Sequence, residues 1–95
     1  MSKGKKSKGL THFFTFRPNG DVCQVQLAGC FTNWKPVSMS RQEDGGFLVS
    51  LRLEPGVYEY KFIVDGHWIT DPGHSSWALN AYGSFNSVLS IEAFK

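Results

Sequence analysis

No segment of this 95-residue chain approaches the ~20 consecutive apolar residues that a membrane-spanning helix needs. No secretory hydrophobic region follows the first lysines, so neither an anchor nor an export signal is expected. Cysteine is scarce, with Cys23 and Cys30 the only two. On one extended segment, at ~3.3 Å per residue, they stand too far apart for a disulfide. No Asn-x-Ser/Thr acceptor occurs, at Asn33, Asn80 or Asn86 or elsewhere. Two free thiols and no glycosylation acceptor point to a reducing, cytoplasmic setting.

Catalytic signatures are equally thin. His12, His67 and His74 have no metal-ligand spacing with either cysteine. Ser75 and Ser76 lack the Gly-x-Ser-x-Gly frame of a nucleophile elbow. Asp65 and Asp71 are conceivable as a glycosidase pair, but Asp65-Gly66 and Asp71-Pro72 read as turn-forming aspartates at loop starts. No window carries an apolar stripe of period 3.6 and helical length, so no glycine-rich phosphate loop opens a helix. A complete (β/α)8 enzyme takes roughly 250 residues, and any carbohydrate-active barrel would be a separate partner. An enzyme is not expected, and no cofactor or metal is called for.

What is present begins with an uneven charge distribution. The formal charge is +2, from 10 Lys+Arg against 8 Asp+Glu. Lys3, Lys5, Lys6 and Lys8 lie in the first eight residues, leaving 6 basic against 8 acidic side chains in the body. Residues 1–9 have no apolar side chain after Met1 and are expected to be a disordered basic tail. Residues 10–95 then form one domain with a single modest core.

Turn-forming clusters recur at Pro18-Asn19-Gly20-Asp21, Asp44-Gly45-Gly46, Glu54-Pro55-Gly56 and Asp65-Gly66. Between them the sequence predicts strands over 10–17, 22–28, 47–53, 57–64 and 87–94. Alternation places Cys23, Val25 and Leu27 on one face, as it does Phe47, Val49, Leu51 and Leu53. Tyr58, Tyr60, Phe62 and Val64 likewise oppose Glu59 and Lys61. Short strands with turns about every ten residues indicate an all-β sandwich; a closed OB-type barrel is the topological alternative.

Aromatic residues make up 15% of the chain and need either a core or a ligand. Trp34 and Trp68 sit beside turn residues, where a tryptophan is harder to bury than in mid-strand. Lys61 alternates with Tyr60 and Phe62 and should point outward. A sugar suits this set: the indole π face attracts the pyranose C–H face, and Lys, Asn and Ser bond the hydroxyl rim. Single-stranded nucleic acid could stack similarly, but the acidic body lacks the clustered positive charge that phosphates require.

Three ordered motifs give the residues a family likeness. They are Val25-x-Leu27-x-Gly29-Cys30-Phe31-Thr32-Asn33-Trp34, then Pro55-Gly56-x-Tyr58-x-Tyr60-Lys61-Phe62-x-Val64-Asp65-Gly66-x-Trp68-x-x-Asp71-Pro72, and Asn86-Ser87-Val88. Over about residues 10–94 the chain resembles the glycogen-binding domain of the AMP-activated protein kinase β subunit, and more broadly carbohydrate-binding module family 48. The resemblance implies an immunoglobulin-like β-sandwich of the early-set type that binds α-1,4-linked glucan such as glycogen, starch or maltooligosaccharide. Carried over by position, Trp34 and Trp68 would stack on glucose and Lys61 would bond hydroxyls. Asn86 matches a polar contact, Ser84 stands where the pattern has Thr, and Tyr82 where it has an inserting Leu. Cys30 and Thr32 depart from the usual Ser and Asn. Trp77 has no counterpart, and packing beneath the loop from Gly73 to Tyr82 is expected of it rather than extension of the platform. A second reading is a docking or regulatory module that keeps the fold beside a kinase or glucan-active enzyme without strong sugar binding. A catalytic protein partner accompanies either reading; nucleic acid and membrane do not.

Overall fold

The computed structural model describes residues 9–74 and 76–92. The basic tail therefore lies outside the described residues except for Gly9, which is buried, with Arg52 Cγ 2.8 Å from where a Cβ would stand. Residues 93 and 94, the end of the last expected strand, also lie outside them.

Among the described residues nine strands follow one another: β1 (Leu10–Phe16), β2 (Val25–Gly29), β3 (Val37–Ser38), β4 (Ser40–Arg41), β5 (Phe47–Leu53), β6 (Gly56–Val64), β7 (His67–Ile69), β8 (Trp77–Leu79) and β9 (Phe85–Ile91). One turn of 3-10 helix, Cys30–Thr32, follows β2. The strands form two antiparallel sheets, β1-β5-β4 and β3-β2-β6-β9-β8, with β7 pairing β6 beyond the end of β9. The fold is a β-sandwich, and the core fills the space between the sheets.

The alternating residues supply that core. Phe14, Phe16, Val25, Leu27, Phe47, Leu53, Tyr60, Phe62 and Leu89 are all buried and belong to one cluster. Their rings meet edge-on, Phe16 with Phe62 at 5.3 Å and Phe14 with Tyr60 at 5.2 Å, the arrangement the aromatic quadrupole prefers. The aromatic surplus is thus divided by residue type. Phenylalanine carries much of the core, while all three tryptophans remain exposed, Trp34 by 37%, Trp68 by 47% and Trp77 by 57%.

Three expectations need correction. β2 starts at Val25, and Cys23 is exposed, not on the core face of a strand. The cause is Asp65, whose carboxylate accepts the backbone N–H of Cys23 at 3.0 Å and of Gln24 at 2.9 Å, drawing that segment out of the ladder. β3, β4, β7 and β8 were not expected, because two or three residues are too few to show a period. Trp77 is not packed beneath the 73–82 loop. It lies in β8, opposite Ser87, and tilts against Phe85 at 6.5 Å between ring centroids.

Both aspartates of the imagined catalytic pair do turn work. Asp65 and Gly66 have φ of 48° and 87°, the two left-handed residues of a type I′ hairpin joining β6 to β7. Asp71 accepts the Gly73 N–H at 2.8 Å and the Tyr60 hydroxyl at 2.6 Å, locking the chain where it leaves β7. Burial first, then this carboxylate, push the Tyr60 phenol well above its usual range, so it stays a donor.

Gly29 marks a close approach. A Cβ there would stand 2.7 Å from the Glu59 carbonyl oxygen and 2.7 Å from Phe31 Cζ. Gly29→Ala is expected to destabilise the domain by about 1–3 kcal/mol through overpacking, read as a lowered denaturation midpoint with an unchanged m-value.

Candidate functional site

Side chains at directly paired positions share a face of a sheet. On the outer face of the larger sheet, Lys61 of β6 is paired with Ala28 of β2, and Ile63 with Trp68 of β7. Glu59 is paired with Val88, two residues from Asn86, which is paired with Ala78 of β8. One face therefore carries Glu59, Lys61, Trp68 and Asn86. Ile63 is buried on this outward side, beside the Trp68 indole.

Trp34 reaches the same face from the 3-10 turn. Asn33 and Trp34 both take left-handed backbone, with φ of 55° and 62°. Such a conformation costs about 1–2 kcal/mol per non-glycine residue and persists only where neighbouring contacts enforce it. Here the Trp34 N–H donates to the Gly29 carbonyl at 2.9 Å and the Lys35 N–H to Thr32 at 3.1 Å. The Thr32 hydroxyl donates to the Gly29 carbonyl at 3.0 Å and accepts the Gly29 N–H at 3.2 Å. Thr32, a departure from the family pattern, closes the turn that aims Trp34.

Tyr82 lies in the β8–β9 loop and is 93% exposed. This loop is organised by one side chain, Asn80. Its Oδ1 accepts the N–H groups of Tyr82 at 2.9 Å and Ser84 at 3.1 Å. Its Nδ2 donates to Ser84 Oγ at 2.8 Å and to Asn86 Oδ1 at 3.0 Å. Ser84 Oγ in turn accepts from Lys61 Nζ at 3.0 Å, tying the loop to the sheet. Asn86 is only 6% exposed, and its Nδ2 donates to Glu59 Oε1 at 2.9 Å. Both ends of its amide are therefore already engaged.

Trp34, Lys61, Trp68, Tyr82, Ser84 and Asn86 come together around one shallow depression of about 660 Å³. Glu59, Asn80 and Ala81 complete its lining. Glu59 and Asn80 escaped sequence reasoning. The available signal was Asn80 three positions before Gly83, which has φ of 83°, a turn pairing inside an uncharged stretch. A second recess, of about 640 Å³, opens between β1 and the loop at 71–74. Core side chains such as Phe14, Phe16 and Leu89 line it, so it is the mouth of the sandwich. His12 stands there, its imidazole held below its usual pKa by burial and then by His74.

The depression combines two exposed indoles with hydroxyl, amide and ammonium groups, which suits a ligand with apolar faces and a hydroxylated rim. Comparison with known proteins agrees. The family described as the glycogen recognition site of AMP-activated protein kinase matches residues 12–95. The 5′-AMP-activated protein kinase subunit beta-1 of Homo sapiens is 32% identical over 77 residues, covering 81% of this chain and 28% of the relative. Protein FLOURY ENDOSPERM 6, chloroplastic, of Oryza sativa subsp. japonica is 52% identical over 69 residues, covering 72% of this chain and 13% of the relative. Protein PTST homolog 2, chloroplastic, of Arabidopsis thaliana is 50% identical over 56 residues, 58% of this chain and 10% of the relative. The chain thus spans less than a third of the length of each of these proteins. The family match runs through both tryptophan motifs and the β8–β9 hairpin, and on that ground the chain belongs to the family of the AMP-activated protein kinase glycogen recognition site, whose members bind glucan without catalysis.

Proposed function

We propose that this domain holds α-1,4-linked glucan across the depression, with Trp34 and Trp68 stacked on glucose rings. Lys61 and Ser84 bond ring hydroxyls, and Tyr82 closes over the chain from the loop. Asn86, buried beneath the depression, holds Asn80 and Glu59 in place from below. The observation that carries this reading is the pair of exposed indoles beside one depression whose other lining residues, Ala81 apart, all carry a polar group. A tryptophan held partly in strained backbone and left open to solvent has no packing role that explains it.

The ligand is neutral, so the interaction should be nearly independent of ionic strength. Retention on glycogen in affinity electrophoresis is expected to change by less than about twofold between low and high salt, because no counterions are released. A steep fall with salt would transfer binding to the basic tail and make the ligand a polyanion.

A catalytic protein partner belongs to this proposal. Its support is the name of the kinase subunit among the relatives and the short share of each relative that the chain covers. A reducing compartment is proposed with it, cytoplasm in the first instance, since Cys23 and Cys30 are both free and exposed. Two plant relatives carry the word chloroplastic in their names.

A further inference from the structure

The β8–β9 hairpin has a second face. Ala78 and Asn86 point to the glucan side, so Trp77, Leu79 and Phe85 point to the other. That side faces inward at Ser87, which is buried, but β8 is the last strand of its sheet. At the hairpin the smaller sheet no longer covers it, and Trp77, Leu79 and Phe85 all stand exposed.

The strand edge adds polar groups to these rings. Ser76 accepts the Val88 N–H at 2.9 Å, and the Asn80 N–H donates to Ser84 at 2.8 Å. With Ala78 in register between them, alternate residues turn their backbone toward β9, and Trp77 and Leu79 turn theirs to the open edge. Two other edges are guarded: Lys35-Pro36 precedes β3, and β4 contains Arg41. From Pro72 to Ile91 there is no Asp, Glu, Lys or Arg at all.

We propose that Trp77 and Phe85 form a second glucan contact on the back of the hairpin, taking a neighbouring α-glucan chain. The proposal rests on the glucan reading of the front face. An uncharged surface favours a neutral ligand over a protein partner steered by charge. The two rings are inclined by 51°, which fits a chain whose axial linkages make successive pyranose rings turn, and not a flat ribbon. Backbone donors and acceptors of Trp77 and Leu79 lie beside the rings to meet hydroxyls. Tyr82 lies in the loop between the two faces, so a branched glucan can grip both at once.

The test uses the 95-residue chain labelled with 15N, following the three indole N–H signals, assigned by single Trp→Phe variants, during titration with maltoheptaose. The Trp77 signal should move saturably in the parent and also in Trp68→Ala. Trp77→Ala should weaken retention on glycogen at least about tenfold through lost bivalency, while maltotriose affinity at the front stays within about twofold. A Trp77 signal that stays still while those of Trp34 and Trp68 move would overturn this inference and leave the front-face reading standing. Still signals at Trp34 and Trp68 would overturn the front-face reading itself. A Trp77 signal that responds to protein concentration and not to sugar would assign the patch to a second copy of the chain, and the inference would fall.

Discussion

Trp68→Ala should weaken binding of maltoheptaose by roughly 30-fold or more while the domain stays folded. The indole lies on the outer sheet face and is half open to solvent, so its free surface is what a glucose ring would cover. Burying one aromatic face at about 25 cal/mol per Å², with the additional face-specific attraction of the π system, comes to about 2–3 kcal/mol, and each 1.4 kcal/mol is a factor of ten. Stability should fall by less than that. Trp68 pairs with Ile63 in a three-residue strand at the margin of the sheet, and its loss partly uncovers that isoleucine without opening the core. A drop of about 1 kcal/mol would lower Tm by roughly 4–8 °C in a domain of this size. Trp34→Ala should lose binding comparably, and its variant no longer has an indole to hold in left-handed backbone. Trp68→Phe should recover part of the affinity, since a smaller π face remains. Calorimetry with maltoheptaose beside thermal unfolding separates the two effects. Unchanged affinity in both alanine variants would remove stacking from the account.

The strands that build the sandwich were legible because each is long enough to alternate. In β5 and β6 the apolar positions named from the sequence all face the core, and Lys61 between Tyr60 and Phe62 faces out. The site was legible in part, because its tryptophans sit next to residues that cannot continue a strand. What escaped detection depends on contacts between distant segments. Cys23 fits the period of β2, yet Asp65, 42 positions away, takes its N–H and ends the strand early. Trp77, which has no counterpart in the family pattern, was expected to pack beneath the loop from Gly73 to Tyr82, and its place on the last strand of a sheet leaves it uncovered. Thr32 was legible only as a departure from the usual Asn; that its hydroxyl bonds both polar groups of Gly29 depends on how the turn closes. Asn80 gave only the faint signal of its spacing to Gly83, because an asparagine in a loop is ordinary until its four partners are assembled.

Those four partners make Asn80→Ala the most disruptive change outside the stacking residues. The substitution removes the acceptor of the Tyr82 and Ser84 N–H groups and the donor to Ser84 Oγ and Asn86 Oδ1. Hydrogen bonds of this kind contribute about 0.5–1.5 kcal/mol each, and exposed groups regain part of that from water. A stability loss of about 1–3 kcal/mol is therefore expected. The binding loss should exceed what stability alone implies. Tyr82 would no longer be held over the depression, and Lys61 would keep its bond to a serine that can swing away. Affinity for maltoheptaose should drop by about tenfold or more, with loop order lost before binding begins. Asn80→Asp divides the effect. Its carboxylate still accepts both N–H groups, so the loop keeps its shape, but it cannot donate to Ser84 or Asn86 and stands against the Asn86 carbonyl oxygen. Protection of the Tyr82 and Ser84 amides from hydrogen exchange should thus survive in Asn80→Asp and vanish in Asn80→Ala. If both variants bind glucan like the parent, the loop is not part of the binding surface, and the ligand is held by the sheet-borne residues and Trp34 alone.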